Sequence, residues 1–578
     1  MSRGFAWCRL ALAMVLVACG LLRPAAAEVE AGFRHLVAVM DRYHTSLDVY
    51  RERGSAGNHF APSGWQGDVA ALHLDPGWPA LTHSGSTCIR VEFTARSHNW
   101  AAIVWQQPAG LDLSGASQLS FWARGAAGGE TLEVFLGGEP GPAGDSLPRL
   151  TTGRIRLDTG WQQYFIHLTG HERRRLVTGF GLAVSGRDNP AGAIVFLDDI
   201  TFDADRRTEP RLLASFETEA DPADRHLAGV AHLYDNSLAI LAFLARGGPD
   251  DRRRAGLLAR ALVLAQERDR FFHDGRLRNA YAAGDLLDPA TGSPRLPVWQ
   301  EPASGRYLED SYQAGSQSGN LAWAVIALVR AAEELGEEGF RRSALALGEW
   351  LAAHTRDERG AGGYTGGYAG WEPDPAPLTW KSTEHNGDLY AAFLALQRLS
   401  GDPVWQERAE HARRFLLAMW DPAAGHYWTG ALGDGCTVNR MVIPADAQIW
   451  PALAVPGAPD GLPWARAHLV VERDGRTGLD FNDDRDGIWC EGTAAAALAW
   501  RLRQDPLADS LLASLRAIQA SAAGSNGAGL LATPQPVLST GLEWQYPRRV
   551  HLAATAWYLL AELAANPLAP PDRRSSGR

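Results

Sequence analysis

The hydrophobic pattern of this 578-residue chain changes period near residue 210, and that change limits the fold more than any other feature. Before it, apolar and polar residues alternate in short runs: Leu119, Phe121 and Ala123; Leu132, Val134 and Leu136; Tyr164, Ile166 and Leu168; Ala193, Val195 and Leu197. A two-residue period turns one face of a strand to a core. Several short runs broken by Gly, Pro and Asp predict an antiparallel β-sandwich. After residue 226, Ala/Leu-rich segments are long enough for helices. The chain is therefore predicted to be multidomain. A jelly-roll-like antiparallel β-sandwich spans 28–208, a charged linker 209–226 and an all-α domain 227–566, with a polar, Pro-rich tail at 567–578 that lacks the apolar residues to fold.

The helical half repeats. Six helices are predicted to start in a similar way, at Tyr234-Asp235-Asn236, Ser318-Gly319-Asn320, Thr383-Glu384-His385, Ala445-Asp446-Ala447, Cys490-Glu491-Gly492 and His551-Leu552. Most are followed by a second helix, as at Arg254–Glu267, Phe340–His354, Pro403–Met419 and Leu507–Ala520. Helix hairpins at uneven spacing with long loops fit an (α/α)6 toroid better than an open solenoid, whose repeats are more regular. In a toroid the helix N-termini of one layer crowd one mouth, where dipoles and polar side chains converge.

The N-terminus reads as a targeting segment. Arg3 and Arg9 precede an apolar run from Leu10 to Leu22, and Ala25-Ala26-Ala27 offers a small-residue cleavage site, which makes 1–27 a signal peptide. Leu16-Val17-Ala18-Cys19-Gly20 gives the alternative, a lipobox in which Cys19 becomes the lipidated first residue. Either route exports the chain to the periplasm, the outer membrane or the medium, and membrane attachment would be by the lipid alone. A net charge of −11 argues against a nucleic-acid partner. Export would permit a Cys436–Cys490 disulfide, with buried thiols as the alternative. No Cys/His spacing suits zinc. The 21 tryptophans fit either sugar stacking or large cores.

Residues 28–208 resemble a galactose-binding-like, family 11-like carbohydrate-binding module. The resemblance lies in Asn58–Trp65, Trp105-Gln106, Leu119–Gly125 and the closing Phe196-Leu197-Asp198-Asp199-Ile200. It implies glycan binding, with Trp65, Trp100 and Trp105 as stacking candidates and Trp122 in the core, and it implies a structural calcium. Residues 227–566 resemble the six-hairpin glycosidase superfamily in architecture and in their polar helix starts. No single hydrolase family's complete signature is present.

The only lysine of the chain opens the most polar of these starts, Trp380-Lys381-Ser382-Thr383-Glu384-His385-Asn386-Gly387-Asp388. Lys381, Glu384, His385 and Asp388 fall at i, i+3, i+4 and i+7, one face of a helix. Glycoside hydrolysis needs an acid for the leaving oxygen and a second carboxylate, which in an inverting enzyme activates water. Glu384 is the candidate general acid, and Asp235 or Glu491 from other hairpins is the candidate base. Each of these acids also suits the first turn of a helix simply by opposing its dipole. Lys381, His385, Asp388 and Trp380 are candidate substrate-binding residues. So are Trp489 beside Glu491, Glu543, Trp544 and Tyr546 in the loop before the last helix, and Tyr364 and Trp371 in a Gly-rich loop. Asn482–Gly487 opens like a calcium loop but has Thr493 where the twelfth-position Glu belongs, so it reads as an acidic turn, with structural calcium as the alternative. No cofactor is required.

The sequence thus reads as an exported polysaccharide-active enzyme, an inverting glycoside hydrolase with a polysaccharide or oligosaccharide substrate. The alternatives are a polysaccharide lyase on the same toroid, using His385, Asn386, Tyr546 and Arg548, and a non-catalytic glycan-binding or export scaffold.

Overall fold

A computed structural model describes residues 26–42, 47–55, 57–113, 116–203, 209–218, 222–288, 291–301, 306–542 and 544–570. Residues 1–25, which hold most of the expected signal peptide and Cys19 of the alternative lipobox, lie outside the described residues, as do Glu543 and residues 571–578. The chain divides into two compact units, Met40–Glu209 with Gly284–Arg295, and Met1–Val39 with Pro210–Ala283 and Leu296–Arg578.

Among the described residues, the two main sheets of the first unit are built from eleven strands: β1 (Leu47–Tyr50), β2 (Ala61–Gly67), β3 (Leu72–Trp78), β4 (Cys88–Phe93), β5 (Trp100–Leu111), β6 (Gln118–Gly125), β7 (Thr131–Leu136), β8 (Leu150–Arg156), β9 (Gln162–His167), β10 (Leu176–Ser185) and β11 (Ala193–Phe202). They pair antiparallel in two sheets, β3-β4-β11-β6-β9 with β1 also on β11, and β2-β5-β10-β7-β8. The alternation read from the sequence is the inward face: Leu119, Phe121 and Ala123 of β6 meet Ile103 and Trp105 of β5 and Phe180 of β10 in one core. Trp105 packs edge-on to Phe180 at 5.3 Å and is core, not a stacking platform, whereas Trp65 and Trp100 are exposed. Trp122 is not core either. It alternates with Phe121, so its ring leaves the core side and stacks on His83 at 3.8 Å. The closing Asp198-Asp199 pair is engaged by the protein itself: backbone N–H groups of His83, Ser84 and Asp199 donate to Asp198, and the His83 ring and Ser84 hydroxyl bind Asp199. Each of the four carboxylate oxygens accepts at least one hydrogen bond.

The second unit is helical. Its helices are α1 (26–41), α2 (Leu233–Arg246), α3 (Pro249–Glu267), the single turn α4 (Ser311–Ala314), α5 (Ser318–Leu335), α6 (Glu338–Thr355), α7 (Thr383–Ser400), α8 (Val404–Ala418), α9 (Asp446–Ala454), α10 (Leu462–His468), α11 (Cys490–Leu502), α12 (Leu507–Ser521) and α13 (Leu552–Glu562). Helices α2 and α3, α5 and α6, α7 and α8, α9 and α10, and α11 and α12 pair as hairpins. The inner helices touch in the order α2, α5, α7, α9, α11, α13, and α13 returns to α2, so the ring closes. Helices α2, α5 and α7 stop at Gly247, Gly336 and Gly401, each with φ near 74° (73–75°), where a side chain would be strained.

Three stretches differ from the sequence reading. Residues 26–41, assigned in part to the sandwich, form α1, and most of that helix belongs to the helical unit. Phe33, Leu36 and Met40 recur at helical spacing and are buried, Phe33 stands 6.2 Å from Phe243 of α2, and Gly32 lies close against Leu559 of α13. The expected linker is built in at Arg211–Phe216, where Leu213 exchanges hydrogen bonds with the buried Asn236 and Leu552 N–H donates to the Ser215 carbonyl. Of the expected tail, Leu568 is buried and the Ala569 carbonyl accepts from Arg330.

The centre of the ring is filled by indoles. Trp557 packs against Trp323 at 5.6 Å and Trp450 at 5.3 Å, and Tyr234 meets Trp323 at 5.3 Å. Trp350 and Trp405 are as deeply buried on outer faces. Core packing thus accounts for many of the tryptophans.

Candidate active site

Each inner helix starts at the same mouth and brings a polar residue in its first turn or cap. Helix α2 supplies Tyr234 and Asp235, α5 Asn320, α7 Glu384 and His385, α9 Asp446, α11 Glu491, and the α13 cap is His551. Local rules explain why acids sit there, since first-turn carboxylates oppose the helix dipole. Ser382 caps α7 by accepting from His385 N–H. Ring closure then forces these acids together, and they perturb one another.

Asp235 and Glu491 are both buried and flank His551, whose Nε2 stands 3.2 Å from Asp235 Oδ2 and whose Nδ1 stands 3.8 Å from Glu491 Oε2. The Tyr234 hydroxyl donates to Glu491 Oε1 at 2.6 Å and accepts from Trp557 Nε1 at 2.8 Å. Burial pushes Glu491 up to about 7, although His551 and Tyr234 pull it down. Burial would also raise Asp235, but His551, His232 and Ser215 outweigh it and hold this carboxyl below its ordinary range. His551 is itself raised, because Asp235 and Glu491 outweigh the effect of its burial.

Across the mouth, Glu384 is half-buried and stands close enough to buried Asp446 for the two carboxyls to perturb each other. Burial, then Asp446 and Asp388, drive Glu384 well above the carboxylate range, and burial lifts Asp446 to about 6 against the N–H of Ala447 at 2.6 Å. Both shifts favour the protonated form, the stronger push being on Glu384. Beneath lies Asp388, also driven up by burial and by Asp446. It faces the indole N–H groups of Trp323 and Trp450, without hydrogen-bond geometry to either. Tyr546 is buried close to Glu491, Asp235, Asp446 and Glu384, which raise its hydroxyl further after burial itself. Tyr312, 40% exposed, accepts from Asn320 at 3.1 Å and is pushed up to about 12 by burial and then by Asp235 and Glu384.

The structure brings Glu384, Asp235, Glu491 and Tyr546 into this mouth and sets Asp388 under it. Trp544 is exposed and packs on Tyr546 at 4.3 Å. Trp380 and His385 are half-buried neighbours at 5.4 Å. The His385 ring bonds Ser318 Oγ, and burial lowers it to about 4. Trp371 is exposed, with its N–H on the Glu309 carbonyl.

Three sequence candidates are corrected. Lys381 precedes α7 in an extended segment, so the helical stripe begins at Glu384. Its side chain is fully buried, with Nζ on the carbonyls of Arg359 (2.7 Å) and Gly362 (2.8 Å), and it ties a loop. Trp489 is buried against Phe481 and Tyr546 rather than exposed as a stacking surface. Tyr364 is wholly buried against Phe393 and His411. Cys436 is exposed and Cys490 buried, and both are free thiols. In the acidic turn, Asp480, Asp484 and Asp486 have carboxylate oxygens within 4.8 Å of one another, a spacing that suits a cation, although Asp480 already accepts from Phe481 and Gly487 N–H.

Asp446 was legible only as one of the polar helix starts. His551 and Tyr234 also stood in those starts, but nothing local marked their roles. Tyr312 carried no signal.

No protein-family model and no curated protein matches the chain. Among solved structures it is similar to a wild-type glycosidase (18% identity, TM-score 0.40, 62% of this chain and 92% of that one). It is also similar to a rhamnosidase from Klebsiella oxytoca with rhamnose bound (14%, TM-score 0.38, 87% and 96%). A third is a D-mannose isomerase (12%, TM-score 0.42, 61% and 91%). These likenesses fix neither reaction nor substrate.

Proposed function

We propose that the mouth is the active site of a carbohydrate-cleaving enzyme, an inverting glycoside hydrolase with Glu384 as general acid and Asp235 as general base. One observation carries this reading: two carboxyls of one mouth are pushed apart, Glu384 toward the protonated form and Asp235 toward the ionised form. Opposed environments of this kind separate an acid from a base at one pH. Glu384 gives its proton to the glycosidic oxygen as the bond to the anomeric carbon breaks. Asp235 takes a proton from the attacking water, whose oxygen bonds that carbon from the other face. Trp544 and Tyr312 offer exposed aromatic surface at the rim. Export and an N-terminal glycan-binding sandwich, with Trp65 and Trp100 as its exposed rings, complete the proposal.

The lyase alternative needs a cation to neutralise a uronate. Incubation with a panel of neutral and acidic polysaccharides, following reducing ends and ultraviolet absorbance together, tests the reading. Reducing ends without absorbance, lost in Glu384→Gln and Asp235→Asn, support it. Absorbance rising with reducing ends gives the lyase, and binding without turnover gives the scaffold.

A further inference from the structure

We propose that His551 is a positioning residue of this mouth, one imidazole that joins the carboxyls of Asp235 on α2 and Glu491 on α11 into a single unit. The proposal rests on the hydrolase reading for its purpose, not for its geometry.

His551 is 4% exposed, and each ring nitrogen stands near a different carboxyl, Nε2 at 3.2 Å from Asp235 Oδ2 and Nδ1 at 3.8 Å from Glu491 Oε2, both as close charge contacts without hydrogen-bond geometry. The ring has little freedom to choose between them. It stacks on Phe216 at 4.3 Å with a 9° interplanar angle, and its backbone N–H is fixed on the Leu530 carbonyl at 2.8 Å. Glu491 has a second anchor of its own, the Tyr234 hydroxyl at 2.6 Å. The groups facing the imidazole are His232 and Asp235 from the start of α2, Glu491 from α11 and Tyr546 from the loop ahead of α13. His232 is lowered by burial, so it adds little charge of its own.

One imidazolium therefore serves two buried carboxyls. It compensates the nearer one more strongly, since the interaction weakens with distance in a site of low dielectric. The ionised form is thereby favoured at Asp235, as a base requires, and less so at Glu491. Without the imidazole, two carboxyls of adjacent helices would compete for one proton and Asp235 would no longer be the ionised member.

The test uses the full chain with nitrogen-15-labelled histidines, the His551 signals being assigned by their loss in His551→Asn. In the unaltered protein the His551 ring is expected to titrate above an ordinary histidine. Asp235→Asn is expected to lower that midpoint by about one pH unit or more, and Glu491→Gln by less. On an active glycan, His551→Asn is expected to move the acid limb of the kcat/KM profile up by about one unit and to reduce kcat by about tenfold or more, with KM within about threefold. A His551 midpoint unmoved by Asp235→Asn overturns the proposal. No hydrolysis on any glycan, with the coupling intact, overturns the hydrolase reading alone. If His551→Asn fails to fold, assignment by elimination from the other histidines leaves the Asp235→Asn and Glu491→Gln titrations to decide.

Discussion

The Tyr234 hydroxyl donates to Glu491 Oε1 across 2.6 Å, joining residues 257 positions apart at the first turns of α2 and α11. The same oxygen of Tyr234 accepts from Trp557 Nε1, so the mouth is tied to the indole floor of the ring. Tyr234→Phe removes both bonds. It is expected to destabilise the protein by about 1–2 kcal/mol, since an indole N–H and a carboxyl lose partners in a buried site. It should also push Glu491 higher, because this bond favours the ionised form. Urea unfolding and the pH profile measure the two effects, and a variant with unchanged stability would contradict the arrangement.

Glu384→Gln and Asp235→Asn are each expected to lower kcat by about a hundredfold or more, with KM little changed, because both groups act on protons in transit rather than on ground-state binding. The two should differ in stability. Glu384→Gln removes a carboxyl crowded by Asp446 and Asp388, and its melting temperature should match or exceed that of the unaltered protein. Asp235→Asn leaves His551 short of its nearer partner and should melt lower.

The acidic cluster makes stability fall with rising pH. Glu491 is raised to about 7, Asp446 to about 6, and Glu384 and Asp388 also lie above their ordinary values. Between their unfolded and folded values the native state binds more protons than the unfolded chain. Their contribution is therefore complete below about pH 4 and lost as pH climbs through 6 and 7. Asp235, held low, works the opposite way and loses its contribution only in acid. Asp388→Asn is expected to flatten the decline and to stabilise the protein at pH 8 by about 1–3 kcal/mol. Chemical unfolding at pH 5 and pH 8 checks the sign.

Lys381→Met separates a structural lysine from a substrate-binding one. Two carbonyls lose a buried charged donor, so a loss of about 2–4 kcal/mol is expected, with kcat and KM per folded molecule unchanged. A selective rise in KM would restore Lys381 to the site.

Trp544→Ala removes exposed indole surface over Tyr546 and should leave unfolding within about 0.5 kcal/mol while weakening glycan binding by about tenfold. Calorimetry with the best oligosaccharide from the panel reads both.

The sequence by itself determined the local part of this protein. The change of period near residue 210 separates strands from helices because side-chain burial has period 2 in one and 3.6 in the other. The polar helix starts were legible because first-turn acids and caps are local requirements, met by Glu384, Asp446 and Glu491 in their own helices. Helix α1 was equally legible in the spacing of Phe33, Leu36 and Met40, but the boundary expected at residue 28 assigned it to the strands.

Direction and partnership were decided only by the tertiary structure. Lys381 is one residue short of its helix cap, and that displacement turns it from the mouth into a loop. Trp489 and Trp544 look alike as residues beside a candidate acid, yet closure of the ring buries one and leaves the other at the rim. The opposite pushes on Glu384 and Asp235 come from burial and then Asp446 on one side, and from His551 outweighing burial on the other, each partner belonging to another hairpin. Burial and charge act through space over a few ångströms, and no spacing along the chain encodes which helices will stand that close.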